Sequence, residues 1–208
     1  MKAMKKLLLT TICIFGLTFG ANAQTKTGYE KSVEVGTAIG IDKYRNNTYS
    51  ISMVNGYRLN QYLFFGVGVS VGYSNAISLV KIEDVKVLDI SYRTEKILRH
   101  KSLPIPVFLS AKYNFIKAGT LSPFLRLNAG YTFDAFQDIK DAPGITLEPS
   151  VGLDMSITDK LSLYAAIGFN MQQQNVSMIK NVGKMEDWKI GDERMMLNSI
   201  SVRAGVTF

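Results

Sequence analysis

The sequence predicts an all-β protein, an eight-stranded antiparallel up-and-down transmembrane β-barrel. Eight segments alternate apolar and polar residues with a period of two, which is typical of strands whose two faces meet different surroundings. Short connections alternate with longer ones along the chain, as in barrels that cross a membrane. The chain begins with an export signal and ends on an aromatic residue, Phe208, that closes the last alternating segment.

Residues 1–23 have the three regions of a secretory signal peptide. Lys2, Lys5 and Lys6 precede an apolar core, and Ala21-Asn22-Ala23 forms a small-residue cleavage site. We expect cleavage there, so that residues 24–208 form the barrel. Because the segment contains three lysines and no acidic residue, its removal lowers the net charge from +7 to +4. That charge is too small to indicate nucleic-acid binding.

The composition excludes several other classes. The one cysteine, Cys13, lies in the signal peptide, so the mature chain forms no disulfide. His100 is the single histidine, and a transition-metal cluster of the usual type is therefore excluded. After the signal, no segment reaches the roughly 18 consecutive apolar residues of a transmembrane helix. A membrane-spanning form must accordingly be a closed barrel.

Each alternating segment is long enough to cross a bilayer at the usual tilt, which takes about 9 to 11 residues. In chain order the segments are Val33–Ile41, Tyr49–Tyr57, Leu63–Tyr73, Ile105–Phe115, Leu125–Phe133, Ile145–Met155, Leu161–Phe169 and Ser199–Phe208. Proline has no N–H to give to a sheet, so we expect Pro106 and Pro149 at strand ends or bulges.

The connections predict the orientation of the barrel. Residues 58–61, 117–120 and 158–160 are tight turns that carry Asn, Gly or Asp, whereas 75–102 and 173–194 are long loops. Outer-membrane barrels place long loops outside the cell, and an even strand number puts both chain ends on the periplasmic side. Because residues 85–92 alternate as well, the first long loop is predicted to continue in part as a hairpin above the membrane.

The free energy of placing charges in lipid decides which face is inside. A charge facing lipid near the midplane costs about 2 to 4 kcal/mol, so the charged face must point into the barrel. That face carries a balanced set, which we expect to be a salt-bridged network filling a narrow interior: Glu34, Lys112, Arg126, Glu148, Asp154 and Arg203. Glycines on the same face leave room for the long basic side chains.

The outer face has its own signature. Tyr57, Tyr73, Tyr113 and Tyr131 lie near the segment ends, where aromatic girdles meet the bilayer interfaces. A soluble lipocalin-like barrel is the alternative, with the apolar face inward around a ligand. The almost unbroken apolar face and the glycine-rich charged face favour the membrane barrel.

With these features the chain resembles the small outer-membrane β-barrels of Gram-negative bacteria, a porin-like family similar in architecture to the OmpA and OmpX transmembrane domains. The resemblance is carried by residues 56–69, by residues 103–115 and by the terminal Phe208, and it covers Tyr29 to Phe208. It implies an outer-membrane location and a role for Phe208 as the signal that the barrel-assembly machinery reads. It carries over no binding residues.

Catalysis is not expected. Some outer-membrane barrels are lipid-modifying enzymes with a histidine beside a serine and an acid, but His100 lies among positive charges in the longest loop. We therefore interpret His100 as a solvated loop residue and expect neither enzymatic activity nor a cofactor.

The loops are the remaining candidates for recognition. Arg93, Lys96, Arg99 and Lys101 form a basic stretch that would meet lipopolysaccharide phosphates above the bilayer, although a merely solvated loop fits the same residues better. The last long loop is rich in methionine around Trp188 and would cap the barrel or contact a partner, packing among loops being the simpler interpretation.

Three functions remain open. The first is a monomeric structural or interaction protein whose loops 75–102 and 173–194 bind a protein, a surface ligand or lipopolysaccharide. The second is a narrow channel for ions or very small solutes, which the filled interior disfavours. The third is a lipid-acting enzyme, for which a catalytic set is missing. The sequence favours the first.

Overall fold

The computed structural model describes residues 27–42, 46–87, 90–115, 120–135, 144–158, 160–181 and 188–208, and for residues 75–100 and 175–193 it describes the backbone alone. The predicted signal peptide, residues 1–23, lies outside this part of the chain. No helix capable of crossing a bilayer occurs among the described residues.

The described chain consists of nine β-strands. They are β1 (Gly28–Gly40), β2 (Thr48–Arg58), β3 (Leu63–Val87), β4 (Ile90–Ser102), β5 (Pro104–Asn114), β6 (Leu121–Asp134), β7 (Gly144–Ser156), β8 (Ser162–Asn181) and β9 (Trp188–Thr207). Each of the eight predicted segments falls within one of these strands, apart from an end residue or two. The alternation arises because successive side chains of a strand point to opposite faces of the sheet.

The strands close into a barrel with eight strand positions. β4 and β5 both pair with β3 and are separated only by Leu103. They therefore count as one strand of the barrel, which reduces nine strands to eight positions. Every neighbouring pair around the barrel is antiparallel, and β1 pairs with β9 from Ser32↔Thr207 to Gly40↔Ser199. The predicted fold class, an up-and-down eight-stranded barrel, is confirmed.

The two predicted long loops are largely strand, which corrects the prediction for 173–194 and extends it for 75–102. β3 and β4 pair from Ser74↔Ser102 to Val87↔Ile90, and β8 and β9 pair up to Asn181↔Trp188. Above the rim β3 and β8 also pair with each other, in parallel, from Leu79↔Ser177 to Glu83↔Asn181. The backbone groups therefore find their partners across the hairpins, which favours strand over irregular loop.

The expectation for the two prolines was wrong in its detail. Pro106 is the third residue of β5 and Pro149 lies in the middle of β7. Around Pro149 the pairing with β8 skips from Leu147↔Met171 to Ser150↔Gly168, and the register is the same on both sides. The missing N–H thus interrupts the ladder locally, without ending the strand or inserting a bulge.

The barrel is apolar outside and polar inside. Leu109, 67% exposed, and Ile51, 62% exposed, are typical of the outer wall, and the predicted girdle tyrosines are exposed on that same wall. The inward face buries the serines, asparagines and charged residues, such as Ser52 and Asn128. This inverted polarity suits a hydrocarbon solvent and is the reverse of a lipocalin-like barrel.

Four inward aromatic rings were not anticipated from the sequence: Phe64, Phe108, Phe124 and Tyr164. They occupy the space that inward glycines leave open. A Cβ on Gly68 would lie 2.3 Å from Cε2 of Phe108, and one on Gly152 would lie 2.4 Å from Cζ of Phe124. Glycine and ring therefore fit each other across neighbouring strands.

Candidate functional site

Four charged side chains from four strands meet inside the barrel, and we call Glu34, Arg126, Glu148 and Arg203 the ion-pair layer. Arg203 holds Glu148 through two hydrogen bonds, from Nε to Oε1 and from Nη2 to Oε2, each 2.7 Å long. Its Nη1 also lies 3.1 Å from Oε1 of Glu34. Arg126 completes the layer, with Nη1 at 2.7 Å from Oε2 of Glu34.

Neutral donors complete the coordination of both carboxylates. Tyr164 donates its hydroxyl hydrogen to Oε2 of Glu34 at 2.7 Å, and Ser201 donates to Oε1 of Glu148 at 2.5 Å. Glu34 is 1% exposed. Charges buried this deeply are tolerated only when paired and hydrogen-bonded, so removal of one partner should be strongly destabilising.

A second charged group fills the half of the interior on the side of the short turns. Lys112 Nζ lies 2.7 Å from Oδ2 of Asp154 and 4.4 Å from the ring centroid of Phe124, which adds a cation–π contact. Asn114 donates to Oδ2 of Asp154 at 2.6 Å and accepts from Nη1 of Arg58 at 3.0 Å. The rings and ion pairs together pack this half of the barrel.

At the end of the barrel that carries the short turns, Arg58 pairs with Glu30, with Nε 2.5 Å from Oε2 and Nη2 3.1 Å from Oε1. Neither residue was singled out from the sequence, because Arg58 was assigned to the following turn. The alternation in the sequence could have placed Glu30 inside the barrel. Glu30 lies four residues before Glu34 in β1, and side chains an even number of residues apart share a face of the strand. The inward aromatics could have been found by the same parity argument.

All six charged residues predicted for the interior face inward, but they form two groups. Lys112 and Asp154 pair with each other, and the other four make the ion-pair layer. The sequence could not separate these groups, because the pairing depends on how far neighbouring strands are staggered around the closed barrel.

Above the ion-pair layer the interior is not filled. A cavity of about 50 Å³ lies in the half nearer the hairpins. Its floor includes Glu148 and Arg203, and its wall mixes apolar residues with uncharged polar ones. The apolar residues are Ala38, Gly72, Pro104, Pro106 and Phe108, and the polar residues are Thr48, Ser50, Ser70, Asn128, Thr132, Thr146, Asn170 and Gln172. The two halves of the barrel thus differ in packing: one is filled with rings and ion pairs, and the other contains a cavity whose wall is partly apolar and partly amides and hydroxyls.

Beyond the rim the hairpins form one sheet with the strand order β4-β3-β8-β9, which we call the outer sheet. Among the described strands, β4 pairs with β3 alone. The part of β9 from Trp188 to Leu197 pairs with β8 and with no other strand that the structure describes. Each outer strand therefore has an edge that no described strand covers.

The other predicted positions fall on or near the outer sheet. Arg93, Lys96, Arg99 and His100 belong to the part of β4 where the backbone is described, and the side chain of Lys101 is exposed. Trp188 begins β9. No group of His, Cys, Asp and Glu side chains that would hold a metal occurs among the described residues.

At the other end of the barrel, Phe208 is 42% exposed on the outer wall. Its backbone exchanges hydrogen bonds with Lys31, at 2.8 Å from N to O and 2.9 Å from O to N. The last residue is therefore part of the seam that closes the barrel between β1 and β9.

Comparison with known proteins finds no matching family model and no matching curated protein. Among solved structures, Neisserial surface protein A is similar, with 16% identity, a TM-score of 0.49 and coverage of 88% of this chain and 96% of that chain. The Yersinia pestis attachment invasion locus protein Ail, solved with a heparin analogue, has 13% identity, a TM-score of 0.42 and coverage of 88% and 100%. The outer membrane enzyme PagL has 10% identity, a TM-score of 0.40 and coverage of 83% and 97%.

The strand count, the antiparallel order and the inverted polarity define the architecture. By these features the chain is an eight-stranded β-barrel with the architecture of the OmpA and OmpX transmembrane domains.

Proposed function

We propose that the protein is an outer-membrane β-barrel of interaction type, exported through a cleaved signal peptide, whose outer sheet binds an extended polypeptide. The observation that carries this proposal is the pair of uncovered edges on β4 and β9. An unpaired strand edge presents a row of N–H and C=O groups that another chain pairs with readily. Strand addition of this kind is a recurrent way of recognising peptides.

The hydrogen-bonding direction of each edge follows from contacts at the rim. The N–H of Asn198 donates to Oδ2 of Asp42 at 2.5 Å, so it points away from β8. Backbone groups alternate in direction along a strand, and Arg194 and Met196 therefore point the same way, toward the open edge. Met195 points toward β8.

This alternation provides a matched test. Proline at Arg194 removes one donor from the open edge and leaves the β8–β9 ladder intact, whereas Met195→Pro removes a donor of the hairpin itself. Short peptides selected from a displayed library against the barrel in nanodiscs should lose affinity for Arg194→Pro. Selected peptides that bind Arg194→Pro as well as they bind the parent would overturn peptide binding at the β9 edge.

Lipopolysaccharide is a second proposed contact, through the basic stretch of β4. Lys101 is exposed just above the barrel, and Arg93, Lys96 and Arg99 lie on the same strand. Replacing all four by glutamine should weaken retention of lipopolysaccharide in mixed micelles, because phosphates favour such cations. Unchanged retention would remove lipopolysaccharide from the proposed partners.

The channel alternative is disfavoured by the ion-pair layer. Its four side chains bridge β1, β6, β7 and β9, and the rings of Phe124 and Tyr164 pack below it. A barrel verified by heat-modifiable gel mobility should therefore show no steps in a planar bilayer. Discrete steps that change when Arg126 or Glu148 is neutralised would make the protein a pore.

A further inference from the structure

The cavity above the ion-pair layer contains buried polar atoms that lack protein partners. Neither side-chain amide atom of Asn128 nor the Oγ1 of Thr132 forms a hydrogen bond with any residue that the structure describes. Asn128 is 4% exposed and Thr132 is 1% exposed, and both line the cavity. A buried amide or hydroxyl without a partner is strongly unfavourable, so these two side chains need a hydrogen-bonding partner in the cavity.

The size and lining of the cavity restrict that ligand. A volume of about 50 Å³ holds a few water molecules, since one water needs roughly 10 to 15 Å³. The wall combines apolar residues with uncharged hydrogen-bonding groups, and the charges in the floor, Glu148 and Arg203, already bind each other. An ion would therefore lose its hydration without finding a free counter-charge.

We infer that the half of the barrel interior on the hairpin side is a hydrated chamber that takes up small uncharged polar solutes. The ion-pair layer closes the other end of this chamber. Water is its resting occupant. Asn128 offers a donor and an acceptor, and Thr132 offers a hydroxyl, which suits a small amide or polyol as well as water.

Cysteine accessibility tests this inference, in a Cys13→Ser background of the whole protein in nanodiscs. Thr132→Cys places a thiol in the chamber. Ala166→Cys is the matched control, because Ala166 is also inward and 3% exposed but packs against Phe124 and Tyr164. Gln61→Cys, in an exposed turn, gives the rate of a free thiol.

With methyl methanethiosulfonate, a small uncharged reagent, Thr132→Cys should react within about tenfold of the rate of Gln61→Cys. Ala166→Cys should react about a hundredfold more slowly, because a packed site reacts only after local opening. Positively and negatively charged analogues should discriminate against Thr132→Cys but not against Gln61→Cys. Heat-modifiable mobility confirms that each variant is folded.

Three outcomes would overturn the inference. Equally slow reaction of Thr132→Cys and Ala166→Cys would show a closed, inaccessible chamber. Equally fast reaction of both would show that the interior is wet throughout and that the layer blocks nothing. Charged reagents that modify Thr132→Cys as readily as the uncharged one would show that the chamber accepts ions. None of these results bears on peptide binding by the outer sheet.

Discussion

Arg203 holds Glu148 by two parallel hydrogen bonds of 2.7 Å and reaches Glu34 with the same guanidinium at 3.1 Å. One side chain of β9 thus links a carboxylate of β7 to a carboxylate of β1. These contacts cross the interior next to the seam where β1 and β9 close the barrel. The ion-pair layer accordingly joins the first and last strands by side chains as well as by backbone.

Arg203→Gln should lower the free energy of unfolding by about 3 to 5 kcal/mol, because Glu148 loses its cation and Glu34 keeps only Arg126. Urea titration of the protein in lipid vesicles measures this change. Arg194→Gln on the same strand is the control: its side chain is exposed, and a change within about 0.5 kcal/mol is expected. Similar losses for the two variants would contradict the buried layer.

Lys112 and Asp154 should show a coupling free energy of about 0.5 to 3 kcal/mol in a double-mutant cycle with Lys112→Met and Asp154→Asn. The physical cause is their ion pair of 2.7 Å in a buried setting. A parallel cycle between Lys112 and Glu148, which share no described ion pair, should give a value near zero. Comparable coupling in both cycles would mean one continuous network in place of two groups.

Gly68→Ala should destabilise the barrel by about 1 to 3 kcal/mol, because the new methyl group would overlap the ring of Phe108. Adding Phe108→Leu should recover part of that loss. Gly72→Ala, on the same face of β3, is the milder control, since its Cβ would first meet atoms at 3.1 Å. If Phe108→Leu gives no rescue in equilibrium unfolding, the ring is not what excludes a side chain at Gly68.

Leu109→Arg should cost about 2 to 4 kcal/mol in vesicles, because Leu109 lies at the centre of β5 on the lipid-facing wall. Tyr49→Arg, near the rim and 63% exposed, should cost about 1 kcal/mol or less. The difference in unfolding free energy reports depth in the bilayer. Equal costs at the two positions would argue against a membrane-embedded wall.

Phe208→Ala should lower the amount of folded barrel in cells but leave refolding of the purified chain in detergent unchanged. The closing hydrogen bonds with Lys31 involve only the backbone of Phe208, so the ring is free to serve the predicted assembly signal. Phe133→Ala is the matched control, because Phe133 is also 42% exposed on the outer wall. Equal cellular yields of the two variants would rule out a special role for Phe208.

The sequence predicted the barrel well because the surrounding lipid imposes a simple rule on the residues of each strand. Each strand must put apolar groups toward lipid and polar groups inward, so a period of two and the cost of a charge in hydrocarbon locate the walls residue by residue. The prediction failed where that rule does not apply. Outside the membrane the pattern predicts a loop over residues 173–194, whereas the backbone of residues 173–181 pairs with that of residues 188–196.

What the sequence by itself determined is the alternation, the strand number and the inward side of Glu34, Lys112, Arg126 and Arg203, because these follow from local periodicity and solvent. What only the tertiary structure decided is which inward groups meet. The stagger of the closed sheet brings Arg203 to both Glu148 and Glu34, gives Lys112 to Asp154, and leaves Asn128 facing the chamber. These contacts join residues from 42 to 169 positions apart and depend on barrel closure, and a local pattern does not encode that stagger.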